Sequence, residues 1–476
     1  MAVSHMNPLV LPQAKYDELF RRITQLSLEY LTSIPDRPSF PNVSAAKLET
    51  WFSRELPEIG AGDAALDDLT HVIEGCRPNS PRFFGYVFGS GEPVAAAADL
   101  LTSVLNQNTT AWRSGPTAAT LEHLVVGWLA ESISCKGFSG SLTGGGSPAN
   151  LMALAMAREA RLPANEHGAK PGTVYASNEV HMSIPKAVAL LGIGRDHLRL
   201  IPCDSEYRIR LDPLRAAIQA DVAAGLTPIA IVGSAGTVST GSIDPLDELA
   251  RIARDYQAWF HIDGAYGALA SIAQPEKFAG LNAADSISLD PHKWLYQPVD
   301  CGCLLYRDAN AARHAFSHTG DYAKSLLEDP VEGFAFFEES MELSRRFRAL
   351  KLWLSLRYHG LANFREAIRN DLENAQYLAE LISGHEELEL LAPVPLSAVC
   401  FRYVAGSAAN ATDAVNRTIL QRIVRRGKVF LSNANLSGNF ALRACFVNHR
   451  TTRADVAQVI DEVLAVGREI ESGAES

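Results

Sequence analysis

The sequence lacks an excess of basic charge. Its 476 residues include 43 Lys and Arg against 54 Asp and Glu, which gives a formal net charge of −11. This balance argues against a surface that binds nucleic acid or anionic membranes. The sequence also lacks an apolar run near the roughly 18–20 residues of a membrane span, and its N-terminus has no basic stretch followed by an apolar core. We therefore expect a cytoplasmic protein without nucleic-acid or membrane partners.

Cysteine is scarce. The seven cysteines are scattered and odd in number, without a repeated metal-ligand spacing. This pattern predicts reduced thiols and no metal site. Cys301 and Cys303 lie two positions apart in CGCLLYR, where strand alternation puts both side chains on one face. We expect them to pack in the core rather than to form half of a metal site.

The composition is that of a globular protein, with 47% hydrophobic and 20% charged residues. No internal repeat or low-complexity tract interrupts it. The first part reads as helical pieces separated by proline-rich connectors such as SIPDRPSFPN. We predict a helical N-terminal arm over residues 1–92, a large domain over 93–350 and a small α+β domain over 351–476.

Short apolar runs alternate with helical segments in the large domain. GTVYAS, PIAIVGSAG, AWFHID and SISLDP are typical strands, and PLRAAIQADVAAG is a typical helix between two of them. With SGSLTGG, LRLIPCD and CGCLLYRD the pattern predicts an α/β fold with a mainly parallel sheet of about seven strands. Ligands of such sheets bind at the C-terminal ends of the strands. Beyond residue 350, long helices, three antiparallel strands and a closing helix are predicted.

Two of these strand ends carry reactive side chains. Lys293 follows a strand in SLDPHKWL, where a buried amine with a lowered pKa would form a Schiff base. An exposed loop lysine is the alternative. Asp263 ends the strand of AWFHIDGAYGA, where its carboxylate would pair with a pyridinium nitrogen and the small Ala265 would let a flat ring approach. A helix cap or a metal ligand is the alternative for Asp263.

Three further strand ends carry weaker signals. SLTGGGSPANLMALAMAR predicts a strand, a glycine turn and a helix that begins near Ser147, an arrangement suited to a phosphate monoester. A glycine cap in a tight turn would look the same. His181 stands before a helix, where it either caps or packs, or stacks on a flat cofactor. Thr237 follows another strand and by itself is read as a turn hydroxyl.

Taken together, these residues form one pattern. An anion cradle, an aromatic ring, a hydroxyl, a carboxylate and a lysine follow in that chain order, each at a strand end of one predicted sheet. In this pattern the chain resembles the pyridoxal-phosphate-dependent group II amino acid decarboxylases of the aromatic type, in a bacterial branch, which have the aspartate aminotransferase-like fold (fold type I). The likeness begins at SPRFFGYV, residues 80–87, and covers nearly the whole chain.

The resemblance implies pyridoxal 5'-phosphate (PLP) as the cofactor, an amino acid substrate and a homodimer with active sites at its interface. Lys293 would carry the cofactor as a Schiff base, Asp263 would pair with the pyridine nitrogen and His181 would stack on the ring. The remaining contacts implied are the phosphate ligands Gly146, Ser147 and His292, Ala265 under the ring, Thr237 nearby, and Ser344 of SRRFRALKLW toward the phosphate of the partner subunit.

The resemblance also suggests the reaction. Tyr322 matches the loop tyrosine that returns a proton to Cα, and relatives with phenylalanine there tend to release aldehydes. Its presence favours decarboxylation to the amine. The implied substrate pocket is Tyr86, Phe88, Asn108, Thr110 and Trp112.

Two departures from the family affect these expectations. Asn108 and Thr110 replace larger apolar residues and Arg113 follows, so that an acidic or polar substrate stays open beside an aromatic one. Asp290 stands where many relatives have asparagine. An aldehyde-forming reaction on the same scaffold is a further alternative.

Overall fold

The computed structural model describes residues 7, 9–52, 55–318, 333–404 and 409–473. The chain begins with helices, as the proline-broken segments predict. Pro93 and Pro116 are the first residues of two of them, a position where the missing N–H costs no hydrogen bond. These helices are α1 (Gln13–Ser33), α2 (Ala45–Trp51), α3 (Leu69–Gly75), α4 (Pro93–Leu105) and α5 (Pro116–Ser132).

A seven-stranded sheet follows, in the spatial order β1-β7-β6-β5-β4-β2-β3. Both β1 and β6 run antiparallel to β7, and β6, β5, β4, β2 and β3 are parallel in succession. All strands except β7 therefore end at the same edge. The strands are β1 (Ser139–Thr143), β2 (Gly172–Ser177), β3 (Leu198–Ile201), β4 (Thr227–Ser234), β5 (Trp259–Asp263), β6 (Ser286–Leu289) and β7 (Gly302–Tyr306).

Helices cover both faces of this sheet, which explains why its strands read as continuous apolar runs. Ile231 packs in the core shared with α5, and its neighbour Val232 packs in the core on the opposite face. This alternation follows from the two-residue period of a strand. The helices of this region are α6 (Gly146–Arg161), α7 (Ser183–Leu190), α8 (Leu211–Ala223), α9 (Leu246–Asp255), α10 (Pro291–Trp294) and α11 (Ala309–Phe316).

The C-terminal part contains a second, antiparallel sheet in the order β10-β11-β9-β8. Three of its strands match the predicted ones, and the structure adds β8, whose three residues are too few for a period to be recognised. Helix α12 is interrupted at Gly360, where φ is 74°. The elements are α12 (Ala349–Ser383), β8 (Leu388–Leu390), β9 (Ala398–Tyr403), α13 (Ala409–Arg426), β10 (Ser432–Leu436), β11 (Asn439–Cys445) and α14 (Arg453–Glu471).

Five of the seven cysteines are buried. All seven are free thiols, and Cys301 and Cys303 are fully buried in one core cluster, which confirms the packing predicted for them. Within the described ranges, no group of three or more His, Cys, Asp or Glu is placed to hold a metal ion. No helix in the same ranges combines the length and the apolar character that crossing a membrane requires.

Candidate active site

A cavity of about 250 Å³ lies at the edge where the parallel strands end. Asp263 is the last residue of β5, and Lys293 lies in α10 directly after β6. His181 follows β2, and Thr237 follows β4. The cavity thus gathers side chains that are far apart in the chain. The predicted residues that line it are Gly146, Ser147, His181, Thr237, Asp263, Ala265, His292 and Lys293.

The glycine turn between β1 and α6 has the shape of an anion cradle. Gly145 has φ of +137°, a conformation that favours glycine. A Cβ atom on Gly146 would lie 2.6 Å from Cβ of Ala265 and 3.1 Å from Oδ2 of Asp290. The sixteen-residue helix α6 begins here without a side-chain cap, so its first N–H groups and its dipole point at the cavity.

Asp263 is held by three donors. Its Oδ2 accepts a hydrogen bond from Nδ2 of Asn150 at 2.9 Å. Its Oδ1 accepts from Oγ of Ser288 and from the backbone N–H of Ala265, both at 3.2 Å. Only 7% of Asp263 is exposed. The carboxylate therefore has a fixed orientation at the cavity wall, as a partner for a cationic ring nitrogen requires.

His181 also lines the cavity, and its contacts with Ser183 fix the orientation of its ring. Its Nδ1 accepts from the backbone N–H of Ser183 at 3.3 Å and lies 2.8 Å from Oγ of Ser183. Burial lowers the pKa of His181, although the negative charge of Asp263 works in the other direction. The ring is therefore neutral near pH 7 and offers a flat apolar face.

Lys293 lies beside an acidic residue. Its Nζ is 2.9 Å from Oδ2 of Asp290, which also lies 3.5 Å from Nε2 of His292. Burial lowers the pKa of His292, and its Nδ1 accepts a hydrogen bond from the backbone N–H of Cys301 at 3.2 Å. The other oxygen of Asp290 is buried and has no hydrogen-bond partner among the described residues.

Thr237 fits the turn interpretation. Its Oγ1 lies 3.0 Å from Oγ1 of Thr240 and accepts the backbone N–H of Ser242 at 3.1 Å. Ala265 lies at the cavity floor against the glycine turn.

The residues predicted for the substrate pocket are not gathered at this cavity in one chain. Tyr86 is 59% exposed and packs beside Phe430. Oδ1 of Asn108 accepts the backbone N–H of Arg345, and Ser344 is exposed. The described residues that line the cavity include none of Tyr86, Phe88, Asn108, Thr110, Trp112 and Ser344. Tyr322 falls outside the described residues.

Sequence reasoning missed two polar residues, Asn150, which lines the cavity, and His261, which lies behind it. Both are fully buried. His261 precedes Asp263 by two positions on β5, so strand alternation puts both on one face. Asn150 is a polar residue on the otherwise apolar inner face of α6. Each was therefore detectable as a buried polar group that needs a partner.

The site suits PLP. The N-terminus of α6 has no side-chain cap and is available to a phosphate. Asp263 and His181 line the same cavity and could contact a flat ring, and Lys293 could form a Schiff base with the aldehyde. A side chain on Gly146 would fill this space.

The known proteins that this chain is similar to are pyridoxal-dependent decarboxylases, in agreement with a site that suits PLP. Residues 52–404 match the family model described as the pyridoxal-dependent decarboxylase conserved domain. An aromatic-L-amino-acid decarboxylase of Bacillus atrophaeus is 32% identical over 95% of both chains.

Two solved structures share the fold. The structure of Oryza sativa TDC with PLP and tryptamine has a TM-score of 0.92 and 28% identity, covering 98% of this chain and 99% of that one. The 4-hydroxyphenylacetaldehyde synthase of Rhodiola rosea has a TM-score of 0.88 and 28% identity, covering 98% and 100%. This chain therefore belongs to the pyridoxal-dependent decarboxylases, fold type I enzymes whose cofactor is PLP.

Proposed function

We propose that this enzyme decarboxylates an aromatic L-amino acid, namely tyrosine, dopa, tryptophan or phenylalanine, to the amine and CO2. The observation that carries the proposal is the single cavity that joins Lys293, Asp263 and the N-terminus of α6. The relative from Bacillus atrophaeus is named for this activity, and the Oryza structure contains tryptamine, an aromatic amine.

The lining of the cavity supports the proposed cofactor contacts. Lys293 would hold PLP as a Schiff base, Asp263 would pair with its ring nitrogen, and His181 would stack on its ring. Gly146, Ser147 and His292 hold the phosphate, while Ala265 and Thr237 line the floor and wall. When bound, PLP supplies an electron sink for the bond that breaks at Cα.

The protein's own part in the reaction is orientation and proton transfer. The cavity would hold the substrate in the orientation that the bound cofactor requires for the Cα–carboxylate bond to break. We assign the later return of a proton to Cα to Tyr322. The wall that selects the side chain is assigned to Tyr86, Phe88, Asn108, Thr110 and Trp112.

We further propose a cytoplasmic homodimer in which each site is completed by the partner. The pocket residues and Ser344 lie away from the cavity of their own chain, which agrees with a role at the partner's site. Helix α4 also exposes four apolar side chains, and a surface of this kind is typical of an interface. They are Leu100, Leu101, Val104 and Leu105. The arm over residues 1–92 would add to this contact, and seven free thiols are typical of a reducing compartment.

A second candidate is an aldehyde-forming reaction on the same site. The likeness to the Rhodiola aldehyde synthase supports this candidate. Both reactions would use Lys293 and Asp263. The tyrosine at position 322 favours the reaction that forms the amine.

The test is a product survey. The PLP-loaded enzyme is incubated with the twenty common L-amino acids, L-dopa and cysteine sulfinate, and the products are identified by mass spectrometry. We expect amines from aromatic substrates. Amine formed only from an acidic substrate would contradict the proposal and would indicate that Arg113 selects the substrate. Aldehyde as the product would favour the second candidate.

The matched control is Lys293→Ala. This variant should keep the fold by circular dichroism but lose turnover, and borohydride should no longer fix the cofactor to the protein. Substantial remaining turnover would remove Lys293 from the reaction.

A further inference from the structure

A buried chain of hydrogen bonds ends at Asp263. Nε1 of Trp259 donates to Oγ of Ser286 at 2.8 Å, and this Oγ lies 2.9 Å from Nδ1 of His261. Nε2 of His261 lies 2.9 Å from Oδ1 of Asn150, whose Nδ2 donates to Asp263 at 2.9 Å. All five residues are buried, so water does not compete for these bonds.

The chemistry of the groups fixes the direction of every bond. A carboxylate only accepts, so Asn150 must turn its NH2 group toward Asp263 and its carbonyl toward His261. Nε2 of His261 then carries the hydrogen, and Nδ1 accepts from the hydroxyl of Ser286. The indole of Trp259, which can only donate, donates to Ser286. Every hydrogen bond of the chain therefore donates toward Asp263. Burial lowers the pKa of His261 to about 4, in keeping with a neutral ring that has one hydrogen.

The second amide hydrogen of Asn150 leads to His181. Nδ2 also donates to Oγ of Ser183 at 2.9 Å, and Ser183 in turn lies 2.8 Å from Nδ1 of His181. Since this Nδ1 also accepts the backbone N–H of Ser183, it has no hydrogen of its own. One amide group is thus connected to both residues that flank the proposed ring position.

We infer that Asn150, supported by His261, is the positioning residue that fixes both Asp263 against the cofactor's ring nitrogen and His181 against its face. This inference rests on the proposed roles of Asp263 and His181. Asn150 itself acts through these two side chains rather than on the reacting atoms.

The test changes the donors one at a time. Asn150→Leu removes both donors at similar volume, and Asn150→Ser leaves one hydroxyl donor. His261→Leu removes the support of Asn150, while His261→Gln keeps an N–H group for the same carbonyl. Asn416→Leu is the matched control, because Asn416 is a fully buried amide that bonds Tyr403 and Thr412 in the C-terminal part.

Two measurements on the PLP-loaded protein report on the ring. One is the dissociation constant for PLP, and the other is the 15N chemical shift of the ring nitrogen in labelled PLP. For Asn150→Leu we expect the shift to move toward the unprotonated ring and the dissociation constant to rise about tenfold, the value of one hydrogen bond to a charged group. His261→Leu should move the shift in the same direction, and His261→Gln should restore it.

The outcomes separate this inference from the proposed function. If Asn150→Leu, or Asn150→Ala where the leucine variant does not fold, keeps the wild-type shift and affinity, the inference is wrong. If Asn416→Leu moves the shift equally, the effect is general destabilisation and the inference is also wrong. Asp263→Asn tests the proposed function itself, since an unchanged shift in that variant would remove Asp263 from the ring nitrogen.

Discussion

The carboxylate of Asp290 lies 2.9 Å from the amino group of Lys293 and borders the glycine turn at Gly146. This position puts a negative charge between the lysine and the proposed phosphate cradle. A carboxylate at this position repels a phosphate. Asp290→Asn should therefore bind PLP more tightly, by about tenfold or ~1.4 kcal/mol. Titration of the apoenzyme with PLP at low ionic strength measures the change.

Asp285→Asn is the matched control for this prediction. Asp285 is a partly buried carboxylate at the opposite end of β6, where it accepts the backbone N–H of Phe260. Its removal should leave PLP affinity unchanged. Equal or weaker binding of PLP by Asp290→Asn would show that the carboxylate does not oppose the cofactor.

Much of the cavity could be predicted because most of the residues proposed for it follow a recognisable strand. Lys293 and Asp263 stand directly after apolar runs, and a parallel sheet brings such ends to one edge. The glycine turn before α6 was recognisable for the same reason. The local sequence pattern therefore predicts those site residues that lie at the ends of strands and helices.

Asn150 and His261 were missed for a different reason. Each lies inside an element whose neighbours are apolar, and a buried polar residue shows its purpose only through a partner that is distant in sequence. The distance from Asn150 to Asp263 in the chain is 113 positions. The pocket residues such as Asn108 and Trp112 pose a related problem, because in the proposed dimer their environment would be completed by a partner chain.

Tyr322 is predicted to decide the product. Tyr322→Phe should still bind substrate and PLP, but phenylalanine has no proton to return to Cα. Dissolved O2, as the oxidant, should then divert the product from amine toward aldehyde. Mass spectrometry of trapped aldehyde and an oxygen electrode measure the change. Tyr358→Phe is the control, since Tyr358 is 71% exposed on α12. An unchanged yield of amine would show that Tyr322 is not the proton donor.

Glu122 and Arg345 form a fully buried ion pair that ties α5 to the loop before α12. Arg345 also donates to the backbone oxygens of Thr109 and Leu142, and Glu122 accepts the N–H of Leu142. Glu122→Gln should lower the free energy of unfolding by about 3 kcal/mol, because it removes the nearer counter-ion of a fully buried arginine and leaves only Glu342, whose Oε2 lies 3.8 Å from Nε of Arg345. Urea denaturation measures this loss.

Two further variants test the explanation. The double variant Glu122→Leu with Arg345→Met should lose less free energy of unfolding than the sum of the losses in Glu122→Leu and Arg345→Met alone. In the double variant neither member of the pair is left as a buried charge. Glu131→Gln, which breaks the exposed pair with Lys136 on the surface of α5, should change stability by less than about 1 kcal/mol. Additive effects in the double variant would mean that the two charges do not depend on each other.

Asp371 gives the protein a pH-dependent stability. Burial raises the pKa of Asp371 to about 7, although the hydroxyl of Tyr296, which donates to its Oδ2 at 2.8 Å, works in the other direction. In the unfolded chain the carboxyl has an ordinary pKa near 3.8. Between these values the folded protein holds a proton that the unfolded chain has released. Stability is therefore lost as the pH rises from about 4 to about 7.

Asp371→Asn should remove this dependence. The stability of the variant relative to the wild type should increase with pH by at most about 1.4 kcal/mol per pH unit over that window, and it should level off above pH 7. Urea denaturation of both proteins at pH 5, 6, 7 and 8 gives the difference directly. Because other titrating groups are present in both proteins, they cancel in this difference. A difference that stays constant with pH would show that Asp371 is ionised in the folded protein throughout the window.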